Sequence, residues 1–548
     1  MFKHNEKNIG WLALISLVIY AQSLFFGYTY LDDNVLVLDN LFFLKDISNL
    51  GRIFTTEVFH LLHSSAAYYR PMLTLSFMWD AILGGGALWM FHLTDIIIHL
   101  LVVILLYKLL LKLEVSKTLA FILSALFAVH PALSQAVSWI PGRNDSLLAL
   151  FVLASLLTLD NIFLHLLFFA GALFTKESAL FLPVVYGGWL FWLKKEKRPG
   201  KLMTLVLSWI TVGFIWFCLR SIALGDNPVK YSLNTAIETV VNNFSAVILY
   251  FGKIFLPFNL SVLPTLVDSK LYLGIISLLL FVVASLVWRP KNIRIYLFGL
   301  GIYLIFLLPG FIRPNNYYAP DFLEHRLYLP IIGIIISLSQ IIPRVIPAPS
   351  VIPAKAGIQA GFPIRSGMTK WWSRMTIGVI LVLAMINIFH SRVFSNQLRF
   401  WQNAVAHSPS HPLAHKNLGA MYYFDQKYDE AEKEYLLALK LSPTEAMVNN
   451  NLGLIYFNRK DQDKAKEYFL KELALYPNYD NAHANLAMVY YQDGDKDKAE
   501  EEWLTTVKIN PDHKETLKNL AIYYSQVKKD PVKAKYFYTE AVKRGVVF

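Results

Sequence analysis

The chain has 548 residues, 55% of them hydrophobic and only 16% charged, with a mean hydropathy of +0.42. A soluble globular chain carries about 25% charged residues, so this composition excludes an ordinary soluble enzyme. The net charge of +12 falls almost wholly before residue 390, inside apolar sequence. There it reads as membrane orientation rather than a nucleic-acid footprint, and no nucleic-acid partner is expected.

Apolar stretches able to cross a hydrocarbon core of about 30 Å fall near residues 9–26, 93–111, 118–139, 146–160, 162–175, 178–193, 202–219, 271–288, 294–312, 327–342 and 375–390. The expectation is an all-α, polytopic transmembrane bundle of about 11 spans occupying residues 1–390. Basic residues cluster at Lys3 and Lys7, at Lys108, Lys112 and Lys117, at 194–201, at 289–294 and at 344–374. All five clusters share one side if the N-terminus is cytoplasmic. An odd number of spans then puts everything after residue 390 on the outer face. Residues 343–375 are rich in proline and resemble peptides translated from dispersed palindromic repeats of bacterial genomes, so a disordered cytoplasmic insert in a bacterial inner-membrane protein is expected. The single cysteine, Cys218, leaves no intrachain disulfide to form.

Polar residues interrupt the apolar sequence on the outer side. After the first span comes Tyr28-Thr-Tyr-Leu-Asp32-Asp33-Asn34. Two adjacent carboxylates at an interface suit a general base or a metal ligand, although such a run also serves as a solvated turn or helix cap. The loop continues to Tyr68-Tyr69-Arg70-Pro71. His92, Asp95 and His99 share one helix face in the second span; ionisable groups there face a bundle interior or cavity. A second cluster runs from His130-Pro131 through Gln135 and Trp139 to Arg143-Asn144-Asp145. Arg143 suits a phosphate clamp because guanidinium bonds such oxygens in pairs. Lys176-Glu177-Ser178 and Asp321-Phe-Leu-Glu324-His325-Arg326 complete the set, with Tyr250–Ser261 reading as a re-entrant segment. Taken one at a time, each cluster is equally an interhelical ion pair; their convergence on one side favours a site.

Beyond residue 390 the chain turns polar and repeats. Asn-Leu-Gly/Ala recurs at 417, 451, 485 and 519, and Pro443, Pro477 and Pro511 keep the same spacing of 34. That is the tetratricopeptide (TPR) period, so 391–548 reads as about four helical hairpins. Small residues at Ala431, Ala465 and Ala499 recur at Ala534, one position late, which predicts a longer fourth turn at Lys529-Asp530-Pro531. The array is a packing scaffold whose concave face suits a protein or peptide.

In that order, Asp-Asp after span one, Tyr-Arg-Pro, a His-rich second span, His-Pro…Gly-Arg-x-Asp, Lys-Glu-Ser, Glu-x-Arg-Leu-Tyr-Leu-Pro and TPRs resemble the transmembrane and TPR-containing O-mannosyltransferase family. The resemblance covers nearly the whole chain outside 343–375. It implies a GT-C glycosyltransferase that takes a sugar from a polyprenyl-phosphate donor and passes it, with inversion, to a protein hydroxyl, the TPRs recruiting the acceptor. It implies Asp32 or Asp33 as the base, Arg143, Lys176 and Arg326 at the donor phosphate, and Arg70, His92, His99, His130, Gln135, Asp145, Glu177 and Glu324 as supporting polar residues. A divalent ion (Mg or Mn) on Asp32 and Asp33 is compatible with the motif but not required by it. Gln135 stands where the family pattern leads one to expect an acid, and Asp95 where one expects Asn. The competing reading is a non-catalytic, membrane-anchored TPR scaffold for envelope or secretion complexes.

Overall fold

The computed structural model describes residues 2–60, 68–196, 198–225, 233–311, 322–342 and 364–548. The described residues form helices and turns with no strand. They divide into two compact units, Met1–Ser408 and Pro409–Phe548. The division expected at residue 390 therefore falls after Ser408, because the helix Gln397–His407 packs within the first unit.

In the first unit, six described helices are long and apolar enough to cross a membrane: Glu6–Phe25, Leu88–Lys112, Ile140–Leu157, Pro199–Leu224, Ile293–Phe311 and Arg374–Ser395. A seventh is added if Lys117–Ala128 and Pro131–Ser138, bent by 54°, count as one broken span. The bend has a local cause. Pro131 has no amide donor to continue the helix, and the His130 imidazole takes the Ala132 amide instead. Five further apolar helices are shorter, among them Ile162–Leu173, Ser245–Phe255 and Leu271–Val287. At 1.5 Å per residue, a helix of 12 residues reaches about 18 Å, short of a bilayer core. This is why eleven apolar stretches give fewer full-length helices.

Tight helix pairs form where glycine removes the side chain. A Cβ on Gly299 would lie 2.5 Å from the Gly333 carbonyl oxygen, and one on Gly333 would lie 2.4 Å from that of Gly299. Gly252 and Gly274 join Ser245–Phe255 to Leu271–Val287 in the same way, so the segment read as re-entrant begins as a packed helix. The proline-rich stretch 343–363 lies outside the described residues. The helix Ile364–Ser391 covers 364–375, so the last twelve positions of the insert expected to be disordered are helical.

The second unit is four helical hairpins, beginning with Pro412–Phe424 and Tyr428–Leu441 and ending with Lys514–Gln526 and Pro531–Lys543. Second helices stop at Leu441, Leu475 and Ile509, each two residues before a repeat proline. Hairpin turns place Gln426, Lys460 and Gly494 at positive φ, 34 residues apart, and then Lys529, which is 35 on. The longer fourth turn is thus present. A Cβ at Gly453 would meet the Phe469 ring at 2.6 Å, which explains the small residue. Tyr523 and Tyr524 are buried in the hairpin core, while Tyr422, Tyr423, Tyr456 and Tyr491 are half-buried.

Gly333→Val should force Ile293–Leu307 and Tyr328–Ile341 apart and cost about 1–3 kcal/mol. A thermal melt in detergent checks this, with Gly378→Val, where nothing lies within 4 Å of the added carbon, as the neutral comparison.

Candidate functional site

Asp33 and Asp32 are neighbours with unlike surroundings. Asp32 is exposed and sits at φ +67°, and Tyr30 two residues earlier sits at φ +59°. Each non-glycine residue in that region costs roughly 1–2 kcal/mol, so the loop needs external contacts to hold its shape. Asp33 is 1% exposed. Its Oδ2 accepts from the Thr29 amide at 2.6 Å and the Thr29 hydroxyl at 2.9 Å. Its Oδ1 has no hydrogen-bond partner. Burial, opposed by the hydrogen bonds from Thr29, pushes the Asp33 carboxyl up to about 6.

Thr29 is held in turn. The Trp139 indole donates to its hydroxyl at 3.1 Å and the Trp401 indole to its carbonyl at 3.1 Å. Trp139 also packs its ring on His325, centroids 5.5 Å apart. The His325 Nε2 is 3.7 Å from Asp145 Oδ2, and both Asp145 oxygens accept from Lys176 Nζ, at 2.7 and 2.8 Å. Burial pulls the Lys176 ammonium below the usual lysine range, against the opposing pull of Asp145. Arg70 and Arg326 are close enough to Lys176 for their charges to act on it. Arg70 is 3.8 Å from Glu177, whose other oxygen accepts the Tyr69 amide, and Arg326 donates to the Gly310 carbonyl at 2.8 Å. Asp33 and a cationic group made of Lys176, Arg70 and Arg326 are thus joined through Thr29, Trp139, His325 and Asp145.

Arg143 does not take part. It is wholly buried, bonding Asp95 at 2.5 Å through Nε and Asp80 at 2.5 Å through Nη1. It also donates to Ser76 and to the Phe91 carbonyl, so each of its nitrogens is taken. The phosphate-clamp assignment is corrected: Arg143 is an interhelical tie, and Asp95 is its counter-ion. His99 and His130 are structural as well. The first bridges the Tyr328 hydroxyl and the Ala128 carbonyl, the second the Ile254 carbonyl. His92 is buried with its ring edge-on to Phe26. Glu324 is fully buried and accepts from Lys253 at 2.6 Å and the Ser261 amide at 2.7 Å, with His390 at 3.3 Å from its other oxygen. Burial would raise its carboxyl, and the Lys253 ammonium and His390 together outweigh this and hold it below the usual range. Gln135 accepts from the His325 amide and donates to the Val262 carbonyl, both at 3.0 Å. A carboxylate could not make the second bond. Asp321 lies outside the described residues. Among the described residues no three His, Cys, Asp or Glu side chains gather into a metal-binding set.

Sequence reasoning missed Thr29, Asp80 and Trp401. Thr29 carried a signal, a short run of acceptors (Asp32, Asp33 and Asn34) within five residues of its hydroxyl; Trp401 carried none, being more than 360 residues away in the chain.

These features define a polytopic helical protein with a polar site at the ends of its apolar helices and a TPR array. Two tetratricopeptide repeat models match, over residues 399–446 and 446–479. The chain is 23% identical to Protein O-mannosyl-transferase F38B6.6 of Caenorhabditis elegans over 79% of its length and 63% of that protein. It is 31% identical to Protein O-mannosyl-transferase TMTC3 of Homo sapiens over 28% of its length, and 35% identical to Protein O-mannosyl-transferase tmtc2 of Xenopus laevis over 26%, in both cases 17% of the relative. Its matches thus span under two thirds of each relative. Among solved structures it is similar to MamA 41-end from Desulfovibrio magneticus RS-1, with 20% identity, 27% of this chain and 84% of that one covered, and a TM-score of 0.24. The chain is a TPR-containing homologue of proteins named protein O-mannosyl-transferase.

Arg143→Met leaves Asp80 and Asp95 buried without their cation and should cost about 3–5 kcal/mol, read as a lower melting temperature in detergent. Adding Asp80→Asn and Asp95→Asn should restore most of it.

Proposed function

We propose that the chain is an integral-membrane, GT-C-type glycosyltransferase. It moves a sugar, mannose or a close relative, from a polyprenyl-phosphate donor to a hydroxyl of a protein or peptide acceptor. The observation that carries this reading is Asp33, a buried carboxylate with one oxygen anchored and the other without a partner, joined through Thr29, Trp139, His325 and Asp145 to clustered cations. The names of the homologous proteins support the sugar-transfer class.

In the step proposed, Asp33 Oδ1 takes the proton of the acceptor hydroxyl, and the acceptor oxygen attacks the anomeric carbon from the face opposite the phosphate. The bond between that carbon and the phosphate oxygen breaks, and the phosphate leaves with the electron pair. Lys176, Arg326 and Arg70 lie where they would offset the charge growing on it. Attack from the opposite face inverts the anomeric carbon in one displacement. The lipid carrier requires a donor that approaches within the bilayer, and in this reading the protein lies in a bacterial inner membrane with the site and the TPR array on its outer face, which the clustering of basic residues with the N-terminus supports. The TPR array recruits the acceptor or a partner protein.

The test is turnover of polyprenyl-phosphate sugars by the purified protein. Asp33→Asn should lower transfer by about 10²–10⁴-fold while Asp32→Asn leaves most of it. A base must be ionised, so the wild-type rate should climb with pH through about 6 and then level off. Equal transfer by wild type and Asp33→Asn would sink the assignment and favour the non-catalytic scaffold.

A further inference from the structure

The Asp33 arm and the cation arm of the site meet on one short helix, Gln397–His407. Its Trp401 holds the Thr29 carbonyl at 3.1 Å, and just before it the Ser395 carbonyl accepts the Gly27 amide at 2.8 Å. On the other side, Asn403 accepts the Val262 amide at 3.3 Å, and the Ser408 hydroxyl meets that of Ser261 at 3.2 Å. The 261–262 stretch in turn contacts Glu324 through the Ser261 amide and Gln135 through the Val262 carbonyl. Gln135 holds the His325 amide, next to Arg326.

Trp401 is fully buried and its N–H has a single task. The loop it grips carries two non-glycine residues at positive φ, a conformation that lasts only where neighbours over-determine it. Two indoles from distant parts of the chain close on the one residue that supplies both donors to Asp33 Oδ2. We propose that Trp401 is a positioning residue for Asp33: its indole N–H, through Thr29, fixes the carboxylate with Oδ2 satisfied and Oδ1 presented, and its helix sets the distance between the base and the phosphate-binding cations. The inference rests on the reading of Asp33 as the base.

The charged and titratable groups whose charges act on Asp33 are Asp32, whose charge raises it, and Tyr28. Both lie on the loop that Trp401 grips through Thr29, so a change in the acid limb on changing Trp401 reports the hold on that loop and its Thr29 contacts. Those contacts lower the Asp33 pKa; loosening them raises it.

The experiment is the pH profile of transfer by the full-length protein in detergent for wild type, Trp401→Phe and Asp33→Asn. Trp401→Phe keeps an aromatic ring and removes the N–H. The expected result is a kcat lower by about five- to tenfold, as for one lost hydrogen bond, an acid limb moved to higher pH, and an unchanged KM for the donor. Should Trp401→Phe not fold, 3-benzothienylalanine at position 401, which exchanges N–H for sulfur in the same ring shape, gives the same reading. An acid limb that stays in place, with Asp33→Asn inactive, overturns the positioning role and leaves the base standing. Full activity in Asp33→Asn overturns both.

Discussion

A guanidinium without access to water must be matched where it stands, and Arg143 is matched by two carboxylates from two other helices. Its desolvation is tolerable only because Asp80 and Asp95 approach within bonding distance and the Phe91 carbonyl and Ser76 hydroxyl take the remaining donors. This tie joins the helices Pro71–Leu83, Leu88–Lys112 and Arg143–Leu157. Asp145, two residues further along the last of these, is thereby turned toward Lys176 and His325. The same constraint recurs at Glu324, where one carboxylate collects an ammonium, an amide and an imidazole from three parts of the chain.

The polar side chains of the first unit thus fall into two kinds. Arg143, His99 and His130 have every side-chain nitrogen bonded, and Glu324 is bound on one oxygen and faces His390 with the other; their chemistry is spent on holding helices together. Asp33 has one bonded oxygen and one without a partner, and Lys176 is paired with Asp145. The distinction comes from the charge of the neighbours, since burial alone does not separate Asp33 from Glu324: Glu324 lies beside Lys253 and His390, whereas Asp33 is bonded by the neutral Thr29.

This explains what was legible in the sequence. The TPR array was, to the single-residue lag of its fourth turn, because a 34-residue period is written in glycines, alanines and prolines that each have a steric duty. The apolar nature of the first unit was equally plain, but hydropathy does not say where a helix breaks. The bend at His130-Pro131 and the short helix Pro71–Leu83 depend on local capping and packing. Within the proposed site, residue type and order singled out the Asp32-Asp33 pair and Lys176 as candidates, yet could not tell that Asp33 is buried and Asp32 exposed at a left-handed backbone angle. Arg143 was misassigned because a buried arginine and an exposed one are spelled alike; its partner Asp80 lies on a helix that hydropathy hid in a loop.

Gln135 carries a final implication. Its amide gives a hydrogen to the Val262 carbonyl and receives one from the His325 backbone at the same time, which an amide does in a single charge state across the whole accessible pH range. An acid at this joint would need to pick up a proton to do the same, and would make the alignment of the His325 loop rise and fall with acidity. With glutamine there, this joint of the scaffold is indifferent to acidification, and any response to pH is left to the titratable groups around it.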